Sequence, residues 1–167
     1  MAATISEPKV IERGPCNVVG AYAVYEGDDE GPAWGQASAE LDRRKADVLN
    51  REGDTLLGFL YRPHKDDPDV PQEVRSCFMG VEVTDLGRVP DGMAATRFSG
   101  GKYIAVACRG DTEMEAAVGV GDAVRKLERW MAENGCREGD ACFCFSHEEA
   151  DTPPFIQHIL AKLEEPA

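Results

Sequence analysis

Two periods alternate along this chain. In "CNVVGAYAVYEG", Val18, Gly20, Tyr22 and Val24 alternate with Val19, Ala21, Ala23 and Tyr25, the period-two pattern of a strand. The acidic, glycine-containing run "GDDEGP" breaks it. In "AWGQASAELDRRKADVLNRE" the spacing becomes helical: Trp34, Ala37, Leu41, Lys45 and Val48 fall on one stripe, with Leu49 beside it. "TLLGFLYRP" predicts a strand ended by Pro63, "HKDDPDVP" a loop, and "EVRSCFMGVEV" another strand. After the turn-rich "TDLGRVPDG", "MAATRFSGGKYIAVACRG" reads as two strands about a turn at Gly100 and Gly101. "DTEMEAAVGVGDAVRKLERWMAENG" predicts one helix, capped by Asp111 or Thr112, striped by Val120, Val124, Leu127 and Met131, and stopped at Gly135. "DACFCF" and "FIQHILAKL" close the chain as strands about the polar turn "SHEEADTPP".

The order strand, helix, strand, strand thus occurs twice, over about 14–85 and 92–165, without a residue-level repeat. Strands that return as hairpins imply an antiparallel sheet with two long helices on one face. The expected fold class is α+β, and 167 residues suit a single domain over 1–167.

Charge narrows the partners. With 31 acidic and 18 basic residues the formal charge is −13, which repels nucleic acid and anionic membranes and attracts cations. The same acidity also serves solubility. "MAATISEPKVIERG" has no apolar leader segment and no run approaches a membrane span, so the expectation is a cytoplasmic protein whose six cysteines are reduced.

Known catalytic motifs are absent: there is no GxSxG, no HExxH and no phosphate-binding loop. The glycines of "VGVGDA" lie inside the second helix, where small residues allow close packing. Cys136, Cys142, Cys144 and His147 are near one another, but Cys142 and Cys144 form C-x-C in a strand, which places two small side chains on one face. His64 and His158 have no evident partner. No catalytic residue, metal or cofactor is assigned.

"SCFMGVEV" poses the sharper question. Cys77, Met79, Val81 and Val83 form an apolar face suited to a helix. Ser76, Phe78, Gly80 and Glu82 form the other: an aromatic ring, a gap, then a carboxylate. "TLLGFLY" aligns Leu57, Phe59 and Tyr61, and "KYIAVAC" aligns Tyr103 with the small Ala105 and Ala107. Aromatic groups, space and one carboxylate are what a pocket for a cation with an apolar body contains. The alternative is that Glu82 sits wet at a sheet rim or pairs with Arg75 or Arg97.

The segments "GFLYRPHKDDPDVP", "CFMGVEV" and "VPDGMAATRFSGGKYIAVACRGD", followed by the long helix, resemble the gyrase-inhibitor-like (GyrI-like) small-molecule-binding domain, also the effector-binding domain of AraC-type and MerR-type multidrug regulators. The resemblance runs from about Val10 to Leu163. It is most specific from Val89-Pro90-Asp91-Gly92-Met93 through Gly101-Lys102-Tyr103 to Gly110.

The resemblance implies tandem strand–helix–strand–strand modules with a ligand cleft between them. It also implies an amphipathic, often cationic ligand. Members often carry a glutamate in an F-E-x-Y segment, and Phe143 stands in its place here. Glu82 is the carboxylate left to serve instead. Trp34 and Tyr61 match positions of pocket aromatics, so the expected ligand-binding set is Trp34, Tyr61, Phe78, Glu82, Tyr103 and Phe143.

No DNA-binding helices precede the domain, so a stand-alone protein for sequestration or sensing is expected. The alternatives are a hydrolase of cyclopropane-bearing compounds using Glu82, and a protein-interaction module whose acidic loops meet gyrase or a separate regulator.

Overall fold

The computed structural model describes residues 3–27, 30–61, 75–98, 100–136, 144–148 and 150–163, with the backbone alone at 60 and 61. The strands are β1 (Thr4–Ile5), β2 (Lys9–Arg13), β3 (Cys16–Tyr25), β4 (Arg51–Tyr61), β5 (Arg75–Val83), β6 (Ala94–Phe98), β7 (Gly101–Gly110), β8 (Cys144–Glu148) and β9 (Phe155–Lys162). The helices are α1 (Gly31–Arg44), α2 (Glu113–Val118) and α3 (Val120–Glu133). The fold is α+β, as the pattern predicts. The "HKDDPDVP" loop, Cys142 and Phe143 lie outside the described residues. None of the helices among the described residues is long and apolar enough to cross a membrane.

The chain divides into two compact units, one of Cys16–Phe98 and one of Met1–Pro15 with Ser99–Ala167. In the first, the strand order is β4-β5-β3-β6, all antiparallel. Pro32 opens α1 at a position where no backbone N–H is required. α1 buries Ala33, Ala37 and Leu41 against Val19, Ala23, Cys77, Val81 and Val83 of the sheet. Of these strand residues, Cys77, Val81 and Val83 belong to the apolar face foreseen for "SCFMGVEV". The helix stops at Arg44 and a 3-10 turn follows over Lys45–Asp47. That change of winding turns Val48 inward and leaves Leu49 84% exposed, so Leu49 does not extend the stripe.

In the second unit, β1 and β2 both pair with β7, followed by β9 and β8. β1 and β2 are the elements that the sequence pattern missed: they are short, and Lys9, Glu12 and Arg13 dilute their apolar signal. Helices α2 and α3 stand where one long helix was expected. Thr112 caps α2, its Oγ1 accepting from the Glu115 N–H at 3.1 Å. The helix then breaks at Gly119, where a Cβ would lie 2.4 Å from Cys108 Sγ and 2.8 Å from Ala3 Cβ. Ala123, Leu127 and Met131 of α3 pack on Ile104, Val106, Cys108, Ile159 and Ala161.

One expected hairpin does not form. β6 pairs with β3, whereas β7 pairs with β9, β1 and β2. The Gly100–Gly101 segment passes the chain from one unit to the next instead. At Gly100 the backbone runs so close to Pro15 and the Arg13 carbonyl that a Cβ would meet both at 2.9–3.0 Å.

The two units follow the same order. Reading β8-β9-β7-β2 beside β4-β5-β3-β6, the strand that opens each module (β3 or β7) lies between the module's last strand and a strand from elsewhere in the unit. The registers match: Cys16 pairs with Phe98 and Gly101 with Arg13, and at the other end Tyr25 pairs with Arg75 and Gly110 with Phe155.

Candidate functional site

Because strand side chains alternate, residues paired in register share a face. In the unit Cys16–Phe98 the face turned away from α1 carries Val18 beside Glu82, Gly20 beside Gly80 and Leu57, and Tyr22 beside Phe78 and Phe59. β6 adds Phe98, which pairs with Cys16. The ring of Phe59 lies 5.9 Å from that of Phe78 and 5.6 Å from that of Phe98, tilted in both pairs, as aromatic quadrupoles favour. β5 and β3 separate the strands that carry Phe59 and Phe98. Three inter-strand spacings in a flat sheet span about 14 Å, further than two phenylalanine side chains bridge at that separation. The sheet of this unit is therefore curled toward this face, and the three rings line its concavity.

Glu82 stands on the same face and is half-buried. On one side it faces the fully buried Val18. On the other, the register of β4 jumps from Arg51 opposite Val83 to Leu56 opposite Val81, so that residues 52–55 bulge beside it. A bulge ends regular pairing and opens space next to a side chain. The arginines that offered a bland pairing do not reach Glu82. Arg97 donates through Nε to Asn17 Oδ1 at 3.2 Å, and Arg75 pairs with Tyr25 in register. Asn17 and Tyr25 are odd-numbered residues of β3 and belong to the helix side. Among the described residues no side chain forms a hydrogen bond or ion pair with Glu82.

The space expected at Gly80 is filled. A Cβ there would lie 2.5 Å from Val18 Cγ1 and 2.8 Å from a ring carbon of Phe78. Glycine thus lets the Phe78 ring lie down against the strand, and Phe78 is completely buried as the floor of the face.

The structure divides the remaining expected residues. Trp34 lies on the helix side: its ring covers Gly58, packs with Met79, Cys77, Ala33 and Ala37, and donates Nε1–H to Glu30 Oε1 at 3.3 Å. The sheet stands between Trp34 and the Phe78–Glu82 face. The backbone of Tyr61 lies opposite Ser76 on β5, and its side chain is outside the described residues. Tyr103 belongs to the other unit. It pairs with Ile11 and Lys162, is buried, and lies on the face away from α3. Phe98 and Tyr22 were not singled out from the sequence. Both follow the period of their strands, but the partner strand that brings Phe98 onto this face is set by pairing, which local pattern does not reveal.

The two fully buried thiols are unreactive in character. Burial, then the charge of Glu30, pushes the Cys77 thiol up to about 12, and burial followed by Asp122 raises Cys108, whose Sγ–H donates to the Ala116 carbonyl at 3.3 Å.

No protein-family model matches the sequence, and no curated protein matches it either. Solved structures do match in fold. SAV2435 bound to tetraphenylphosphonium aligns with a TM-score of 0.66 at 13% identity, over 95% of this chain and 94% of that one. The C-terminal domain of EcmrR aligns at 0.65 and 14% identity, over 99% and 100%. An integron cassette protein from the mobile metagenome of Vibrio cholerae aligns at 0.60 and 11% identity, over 97% and 99%. These structures share this chain's fold over nearly their whole lengths.

Proposed function

We propose that this protein is an effector-type binding domain for an amphipathic cation with an aromatic body, acting in sensing or sequestration. The observation that carries the reading is a half-buried carboxylate, Glu82, on a concave face lined by Phe59, Phe78 and Phe98. A carboxylate taken partly out of water is costly without a counter-charge, and a lipophilic cation supplies one. Phe59, the partly exposed ring of the three, adds cation–π attraction of about 0.5–2 kcal/mol, backed by the buried rings of Phe78 and Phe98. That SAV2435, alike in fold, is bound to tetraphenylphosphonium supports this ligand chemistry.

Isothermal titration with tetraphenylphosphonium, in the native chain and in Glu82→Gln, tests the reading. Binding should weaken about tenfold or more in the variant, which is about 1.4 kcal/mol. Equal affinity in both proteins, or none in either, overturns it.

A further inference from the structure

The correspondence between the two units exposes one difference. β6 covers the outer edge of β3 from Cys16 to Gly20, as β2 covers β7 from Gly101 to Ala105. Beyond that point the edge of β7 is covered again. β1 pairs with Cys108 and Arg109, and Ser6 bonds Ala107 twice, through its backbone N–H and through its hydroxyl oxygen. In register, those residues correspond to Tyr22, Ala23 and Val24 of β3. Among the described residues no strand occupies that lane: β3 has β5 on one side and β6, which ends at Gly20, on the other. Tyr22 and Val24 are 51% and 46% exposed there.

We infer that Ala21–Tyr25 is a strand-addition site, and that its occupant is the same segment of a second copy of this chain. An uncovered edge of high strand propensity is a template for pairing. Edges that stay single are usually short or charged. β6 fits that description, with five residues and Arg97 among them, whereas "AYAVY" has no charge in a chain of net charge −13.

The segment is also complementary to itself. Antiparallel pairing about a two-fold axis at Ala23 sets Tyr22 opposite Val24 of the second copy, and Val24 opposite its Tyr22. Both pairs join an aromatic to a β-branched side chain on one face, a favourable cross-strand combination. Ala23 meets Ala23, and on both copies β6 begins where the five-residue slot ends. Tyr22 stands on the face that carries Phe78 and Glu82, but the inference rests on strand pairing and not on the ligand proposed above.

Sedimentation equilibrium of the full chain, from micromolar to millimolar concentration, should show a monomer–dimer equilibrium that tightens with salt as the like charges are screened. Val24→Lys should raise the dissociation constant about tenfold or more while leaving the melting temperature unchanged at concentrations dilute enough for both chains to be monomeric. A second test reads the register. Tyr22→Cys and Val24→Cys variants, mixed and oxidised, should form a disulfide-linked heterodimer, whereas each variant alone should not exceed the native background. A monomer at every concentration, a dimer indifferent to Val24→Lys, or cross-linking no greater in the mixture than in either variant alone overturns the inference.

Discussion

Trp34 and Phe59 lie on opposite faces of one sheet. The indole covers Gly58 on the helix side, and the next residue, Phe59, turns its ring to the concave side against Phe78 and Phe98. The two aromatics therefore differ in role. Phe59→Leu should weaken tetraphenylphosphonium binding about tenfold through lost ring contacts. Trp34→Phe should leave the affinity within about twofold while lowering stability by about 1 kcal/mol, since it removes core packing and a partly buried hydrogen bond. Calorimetric titration and urea unfolding of both variants separate these effects. A larger loss of affinity for Trp34→Phe would contradict the assignment of faces.

Gly80 is required for packing rather than for backbone freedom. Its missing Cβ would lie within 2.8 Å of Val18, Phe78 and the Val19 carbonyl oxygen. The backbone oxygen cannot move independently of the sheet, so Gly80→Ala should destabilise by about 1–3 kcal/mol, the range for overpacked cores. The urea midpoint measures it, and Gly35→Ala, at a position with open space around it, serves as the control.

Glu115 makes one part of the stability acid-sensitive. The backbone N–H of Asp111 donates to its carboxylate at 2.8 Å and holds its pKa below the ordinary 4.5. A lowered folded value adds stability that is complete above the unfolded value and is lost as pH falls through the folded one. Glu115→Gln should therefore flatten the acid limb of stability against pH below 4.5. Urea midpoints across the acid range report the slope, and an unchanged limb in the variant would assign the loss to other carboxylates.

Cys77 should be silent toward alkylation. With its thiol pushed up to about 12 and no exposed surface, it carries almost no thiolate at neutral pH. Iodoacetamide treatment followed by peptide mass mapping should find Cys77 unmodified in the folded chain and modified after denaturation. Rapid labelling in the native state would show that this core opens.

The legible part of the site was its alternation. Period two in "SCFMGVEV" correctly sends Cys77, Met79, Val81 and Val83 to the helix and Phe78 and Glu82 to the other face. What surrounds those residues was not legible. Gly80 looked like empty space, yet Val18 and Phe78 occupy it. Arg75 and Arg97 looked like partners for Glu82, yet they follow Tyr25 and Asn17 on the other side. Trp34 matched a pocket position by resemblance, but helical winding delivers its ring to the core side of the sheet.

Taken alone, the sequence determined the class of each major element and which face of each strand is apolar. Both follow from the local geometry of helix and strand, a matter of neighbours two to four residues apart. Which strands pair was decided by tertiary structure. β6 and β7, adjacent in sequence around two glycines, do not pair with each other but take different partners in different units, and β1 and β2 reach nearly a hundred residues along the chain to cover β7. Pairing depends on backbone hydrogen bonds between distant segments and on where Pro15 and Gly100 let the chain cross closely, and no local period encodes either. The curl that gathers Phe59, Phe78 and Phe98 beside Glu82, and the lane along Ala21–Tyr25 that no strand among the described residues occupies, exist only once those pairings are made.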